Sequence, residues 1–499
     1  FDLNDTMNPF DLPDQIQDQK TYASAVKHLR GVGVRLPLFR ELANAPEALS
    51  EITSEISTVD ADAPDPRNLF RVHWFNDSTR HGLSNTPDYV RLPKELTGVD
   101  SEIIVALGDR FPMIGAHKVL AAYGCLVPRL VTGTFDPVQH RAVWPSTGNY
   151  CRGGIAISRI LECHGVAVLP EGMSEERFRW LENWVSAEED IIRTPGTESN
   201  VKEIYDECNR LAEDPNNIIV NQFSEFSNYL VHRYVTGHAL DRIFQRVCED
   251  LPGARLAGFV AATGSAGTLG AGDLLKERHH ARIVAVEPVE CPTLLYNGFG
   301  EHNIQGVGDK HVPLIHNAMN TDIVVGVSDA DSDGLNALFN TSVGRNYLHQ
   351  RKKIPLPVLD ALTSMGLSGI ANVLAAIKVA KHLALTADDV LITIATDGSN
   401  LYRTELEKWL SAHTPGGLDE VLAAELFGAH LKNVRVDHLL EMNEIDRRRV
   451  FNLGYYTWVE QQGIETVDFE RRRHQSFWQG LNELIPVWDE LIERFNTET

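Results

Sequence analysis

The sequence predicts an α/β fold built on parallel sheets. Short apolar runs recur along the middle of the chain, each apolar on both faces, as in strands buried between two helical layers. Amphipathic stretches of helical spacing follow most of them, and strand–helix alternation marks parallel sheets joined by crossover helices. A third observation sets the scale. With 499 residues, 43% of them hydrophobic, the chain exceeds one compact layer pair. Two or three units are expected at ~100–200 residues each.

Taken in order, residues 1 to about 70 are polar and acidic, with a loop expected at 60–67. We read this stretch as an extension lying on the main body. Strands are expected at 103–107, 165–169, 218–220, 256–262, 282–286, 323–327 and 390–395. Helices are expected at 174–189 and 369–382. From about 411 to 495, Leu, Glu, Arg and Trp fall at helical spacing with few strand-like runs, so a helical tail is expected. Its aromatic and basic residues, among them Tyr455, Tyr456, Trp458 and Arg447, are expected to pack on the protein itself with their charges paired at the surface. The domain reading is an N-terminal extension (1–83), a core (84–410) with a smaller subdomain at about 112–225 inserted in a larger one, and a C-terminal extension (411–499).

Composition narrows the function classes. The charge is −23, from 46 basic and 69 acidic residues. Such a chain repels nucleic-acid phosphates and anionic membrane surfaces, so neither is expected as a partner. The six cysteines form no CxxC pair, which argues against a disulfide framework or zinc site and for a reducing, cytoplasmic setting. No metal is expected. No apolar run reaches ~18 residues, so no membrane span is expected. The opening stretch has neither the basic flank nor the apolar centre of a signal peptide, and it lacks an initiator Met.

Three motifs carry chemistry, in fixed order. Gly115-Ala116-His117-Lys118 offers one lysine in a small-residue turn before an apolar helical stretch. Its amine can form a Schiff base if burial or positive neighbours lower its pKa. Ser146-Thr147-Gly148-Asn149-Tyr150 offers hydroxyls, an amide and loop N–H groups, although the same residues make ordinary turns. Thr263-Gly264-Ser265-Ala266-Gly267-Thr268 follows a predicted strand and precedes a helix expected from about Leu269. Glycines let backbone N–H groups converge on a phosphate, and the helix N-terminus adds its positive end. The spacing is not GxGxxG, so a dinucleotide is not indicated. An aldehyde cofactor carrying a phosphate needs an amine, a donor beside its ring oxygen and a phosphate cradle. The three motifs together point to pyridoxal 5′-phosphate.

At this point the chain resembles the fold-type-II pyridoxal phosphate enzymes, the group of cysteine synthase, cystathionine β-synthase, the serine/threonine dehydratases and the tryptophan synthase β chain. Asn85-Thr86-Pro87-Asp88-Tyr89-Val90-Arg91-Leu92 resembles the family's Asn-Thr-Pro-Leu-Val-x-Leu. Further likenesses lie at Leu169-Pro170-Glu171-Gly172-Met173-Ser174, Asn221-Gln222-Phe223, Val286-Glu287-Pro288, Ile304-Gln305-Gly306-Val307-Gly308 and Gly366-Leu367-Ser368-Gly369. They span roughly 84–410 and are closest to the cysteine synthase and cystathionine β-synthase branch. The resemblance implies a tryptophan-synthase-β-like fold of two parallel-sheet α/β domains, here with an added helical C-terminal extension, and a homodimer. It implies that Lys118 holds the cofactor and shuttles a proton. Asn149 meets the ring oxygen, and Gly264, Ser265, Ala266, Gly267 and Thr268 bind the phosphate. Ser146, Thr147 and the Tyr150 backbone hold the substrate carboxylate, and Gln222 faces the substrate.

Three departures stand out. Gly-Ala-His-Lys is nearer the tryptophan synthase β pattern than the Ser-x-Lys of cysteine synthase. Tyr150-Cys151-Arg152-Gly153 replaces the Thr-Gly of cysteine synthase, and Tyr150 and Arg152 are candidates for selecting a different side chain. Thr396-Asp397-Gly398-Ser399 stands where the family has Pro-Ser-Ser or Pro-Asp-Ser, leaving Thr396 or Ser399 to meet the pyridine nitrogen. The activity implied is in amino-acid metabolism, at the β-carbon of an amino acid through an aminoacrylate intermediate. It is a lyase by β-elimination, a transferase by β-replacement of the cysteine synthase type, or both. The alternatives are a dehydratase-like ammonia-lyase and a non-catalytic relative that binds the cofactor.

Overall fold

The computed structural model describes residues 10–499. The opening residues read above against a signal peptide lie outside that range. Eleven strands are described: β1 Tyr89–Leu92, β2 Glu102–Leu107, β3 Arg141–Pro145, β4 His164–Pro170, β5 Ile191–Thr194, β6 Asn217–Ile219, β7 Arg255–Ala262, β8 Arg282–Pro288, β9 Ile323–Val327, β10 Asp389–Ala395 and β11 Leu439–Glu441. They form two sheets. The larger runs β1-β2-β10-β7-β8-β9-β11, and the smaller β5-β4-β3-β6. Within the larger sheet β2, β10, β7, β8 and β9 pair in parallel, while β1 and β11 close the edges antiparallel. The smaller sheet is parallel throughout. Its strands lie between β2 and β7 in sequence.

The seven expected strands all form, because each is apolar on both faces and sits between helical layers. β10 shows this best, with all seven residues buried. Helix Leu367–His382 lies over the larger sheet and is apolar almost all round, as a helix covered on both sides must be. Its one deep cation, Lys378, pairs with Asp437 at 2.7 Å.

Two expectations change. The helix expected at 174–189 runs Glu175–Trp184 and stops where Val185 turns extended, and Asp190 accepts the Ala187 N–H at 3.1 Å before β5 begins. The C-terminal segment is not wholly helical. Leu439–Glu441 adds to the sheet as β11, in register with Ile323–Val325. Three residues are too few to show strand alternation in a sequence, and a neighbouring edge supplies the missing hydrogen bonds.

The first described segments meet the last helix. Helix Gln19–Val32 is capped by Asp18, which accepts from Lys20 and Thr21 N–H, and it closes on Gly33 with left-handed φ. Trp488 Nε1 donates to Pro13 O at 2.9 Å, and the buried Asp489 accepts from Phe39 N–H at 2.6 Å. The N-terminal stretch therefore packs on the last helix, Leu484–Glu498, as well as on the core.

No single helix among the described residues is long and apolar enough to cross a membrane. The bent pair Leu356–Leu362 and Leu367–His382 passes that test only jointly, and the second of the two is core.

Candidate active site

The catalytic candidates sit at the carboxyl ends of parallel strands, where open α/β sheets place their ligands. β3 leads into Ser146, Thr147 and Gly148, and helix Asn149–Ile160 starts directly after. β7 leads into the 263–268 loop and helix Leu269–His279. β6 is followed by Gln222, and β10 by Thr396. Lys118 opens helix Lys118–Val131, and Ala116 bridges back to Asp397 beside β10.

These segments line one shared cavity. Its wall includes Lys118, Ser146, Thr147, Asn149, Tyr150, Gln222, Gly264, Ser265, Ala266, Thr268 and Thr396. All three motifs thus converge. Gly267 stands just behind the wall, where an added Cβ would meet Asn228 Oδ1 at 2.4 Å. Gly264 is as constrained, since its Cβ would meet the Gly306 carbonyl oxygen at 2.4 Å. At 264 the obstacle is backbone, so the loop can take this path only with glycine there; at 267 a side chain would have to displace Asn228.

The Lys118 amine donates to Gln222 Oε1 at 3.2 Å and to Ser265 Oγ at 3.1 Å. The side chain faces the cavity along part of its length, but the amine lies deep. Burial lowers its pKa to about 8, a shift that Asp309 opposes. His117, beside it, is pushed down to about 3 by burial and stays neutral, with Nε2 at 3.1 Å from Thr396 Oγ1.

Asn149 is held from two sides: Nδ2 donates to Asp397 Oδ2 at 2.6 Å, and Oδ1 accepts from Arg152 Nη1 at 2.9 Å. Tyr402 OH donates to the same Asp397 oxygen at 2.9 Å, and the Arg177 guanidinium stands 3.6 Å away. Arg177 also donates to Gln305 Oε1, so this network joins elements of both sheets.

Some expectations land elsewhere. Ser399 is not on the cavity wall; its hydroxyl donates to Thr363 O at 2.9 Å at an exposed position. Thr396 is on the wall. Arg152, a candidate for substrate selection, points back into protein, to Asn149 Oδ1 and Ile114 O. The Tyr150 hydroxyl is spent on Val220 O at 3.2 Å. Sequence reasoning missed His117, Ser368 and Gln305 on the wall. It also missed two buried acids near the amine, Glu198 and Asp309, which burial raises to about 8 and about 7. Both Glu198 oxygens and Asp309 Oδ2 lack a hydrogen-bond partner within the protein. In the sequence nothing distinguishes these two from the other acidic residues.

The residues present fit a phosphate-bearing aldehyde. One buried amine of lowered pKa faces a glycine-constrained loop at a helix N-terminus, across a wall of hydroxyls and amides.

Comparison with known proteins agrees. The profile of the pyridoxal-phosphate dependent enzyme family matches residues 80–333. Cysteine synthase B of Campylobacter jejuni is 33% identical over 255 residues, covering 50% of this chain and 74% of that protein. Cystathionine beta-synthase of Saccharomyces cerevisiae is 26% identical over 356 residues, 68% of this chain and 65% of that one. Among solved structures, a hydrogen sulfide-producing enzyme from Fusobacterium nucleatum shares the fold, with TM-score 0.53 and 22% identity over 71% of this chain and 95% of that one.

Proposed function

The chain belongs to the pyridoxal-phosphate dependent enzymes, and from that premise we propose that it acts at the β-carbon of an amino acid, by β-elimination or by β-replacement of the cysteine synthase type. The observation that carries this reading is the meeting of Lys118, Asn149 and the 264–268 loop on one cavity. Lys118 would hold the cofactor, Asn149 its ring oxygen, and Gly264, Ser265, Ala266, Gly267 and Thr268 its phosphate. When bound, pyridoxal phosphate supplies the electron sink that stabilises negative charge on a substrate α-carbon.

The remaining work falls to side chains. A Lys118 amine with pKa about 8 is partly neutral near neutral pH, so it can accept the α-proton and return it. Gln222 and Ser265 hold that amine in place whenever it is free. Ser146 and Thr147, with the Tyr150 backbone, supply donors for the substrate carboxylate. Phe223 and Val307 add apolar wall that excludes water. Thr396, on the cavity wall, would be the hydroxyl to meet the pyridine nitrogen. A neutral hydroxyl there, bonded to a neutral His117, limits ring protonation and favours elimination over transamination. Because Arg152 and the Tyr150 hydroxyl are committed inside the protein, neither argues against cysteine-synthase-type chemistry.

We also read the protein as a cytoplasmic homodimer without nucleic-acid or membrane partners. Its charge of −23 supports the missing partners, and the family resemblance supports the dimer. The activity test is product analysis with cysteine, serine, O-acetylserine and threonine, each with and without added thiol. A thioether or new amino acid formed only with thiol marks replacement. A 2-oxo acid with ammonia marks elimination. Neither product from any of the four, from cofactor-loaded protein, contradicts the proposal.

A further inference from the structure

Arg152, a departure from the family pattern, and Asp397 meet on either side of Asn149. All three side chains are buried. The Asn149 amide donates to Asp397 Oδ2 at 2.6 Å and accepts from Arg152 Nη1 at 2.9 Å. Both contacts have a fixed direction. A guanidinium only donates. Asp397 Oδ2 also receives the Tyr402 hydroxyl at 2.9 Å and has the Arg177 guanidinium 3.6 Å away, so it is surrounded by donors and acts as acceptor. Turning the amide over would set N–H against N–H on one side and oxygen against oxygen on the other.

The partners are themselves anchored. Arg152 Nη2 donates to Ile114 O at 3.0 Å, and its guanidinium lies 5.0 Å from the Trp180 ring centroid. The Asp397 backbone accepts from Gly366 N–H at 2.8 Å and bridges to Ala116. An asparagine amide nitrogen carries two N–H groups. One goes to Asp397. The other remains on a residue that forms part of the cavity wall.

We propose that Arg152 and Asp397 are positioning residues that lock the Asn149 amide, so that its second N–H is presented to the cofactor's ring oxygen. This rests on the reading of Asn149 given above. Asp397 belongs to the larger sheet's side of the cleft and Asn149 to the smaller, so the lock also fixes the donor against the segment that carries Thr396.

A double-mutant cycle on cofactor binding tests it. Asp397→Ser, Arg152→Met and Asn149→Ala are made singly, and each of the first two is combined with Asn149→Ala. Affinity for pyridoxal phosphate is read by fluorescence titration, the bound cofactor by its absorption band, and folding by thermal unfolding. Asp397→Ser and Arg152→Met should each weaken cofactor binding by ~10-fold, about the worth of one lost oriented hydrogen bond. Both should alter the band. In the Asn149→Ala background neither should change affinity by more than ~2-fold, because the group they position is gone. Losses that add in that background overturn the lock. So does a drop in melting temperature with affinity and band unchanged, which marks a purely structural role. If Arg152→Met fails to fold, the Asp397→Ser arm still decides. No cofactor band in the wild-type protein overturns the cofactor reading and the lock together, whereas a normal wild-type band with additive variants overturns the lock alone.

Discussion

The Lys118 amine donates to the Ser265 hydroxyl at 3.1 Å, which ties the first residue of one helix to the glycine loop that opens another. Asn228 Nδ2 donates to the same hydroxyl oxygen at 3.0 Å. The amine and the 263–268 loop are therefore one hydrogen-bonded unit.

Lys118→Ala should lose turnover by ~10³-fold or more, within the range expected for a removed acid–base group. It should also lose covalent capture of the cofactor. Borohydride reduction followed by peptide mass analysis reads this directly: a reduced adduct on Lys118 in the wild type and none in the variant. An adduct on another lysine would move the assignment.

Cofactor capture should depend on pH in a way set by burial. The neutral amine is the nucleophile, and its pKa is lowered to about 8. Below that value the neutral fraction, and with it the association rate, rises ~10-fold per pH unit. Above about 8 the rate should level. An amine with an ordinary lysine pKa would keep accelerating to about pH 10. Stopped-flow association of pyridoxal phosphate with the cofactor-free protein separates the two profiles.

Gly264→Ala should weaken cofactor binding more than Gly267→Ala. The new methyl group at 264 meets a backbone carbonyl at 2.4 Å, which can move only with its loop. At 267 it meets the Asn228 side chain, which can swing at the expense of its bonds to Gln222 O and Ser265. Fluorescence titration of the two variants checks the order, and equal losses would contradict the steric argument.

Much of this site was readable in the sequence because its parts are local. Lys118, Asn149 and Gly264 each sit in a short turn of small residues beside a strand or helix start, and such turns keep their meaning without tertiary information. Seven strands were readable because both faces are apolar. β1, β3, β5 and β11 were not. β3 has only Ala142, Val143 and Trp144 between Arg141 and Pro145, and β5 follows an acidic run. The roles of Arg152 and Asp397 were hidden for a different reason. Arg152 lies one helical turn from Asn149, but its side-chain direction is set only by the packed helix, and Asp397 reaches Asn149 from 248 residues away. Burial, which sets the pKa of Lys118, Glu198 and Asp309, is likewise a property of the packed chain.

Asp489→Ala should destabilise the protein without disabling the site. The carboxylate, 2% exposed, accepts from Phe39 N–H at 2.6 Å and Arg40 N–H at 3.1 Å, joining the last helix to the N-terminal stretch. Leaving buried donors unpaired costs roughly 2 kcal/mol. Chemical denaturation should show that loss, while turnover per folded molecule at low temperature stays near wild type.

The central claim is that this cavity binds pyridoxal phosphate through Lys118 and presents it to an amino acid. An absorption spectrum of the purified protein tests it most directly, recorded before and after adding serine, cysteine, O-acetylserine or threonine. A band is expected near ~410–420 nm, the region for cofactor held on a lysine amine, with a shift to longer wavelength on adding one of the four. No such band, even after adding pyridoxal phosphate, would contradict it.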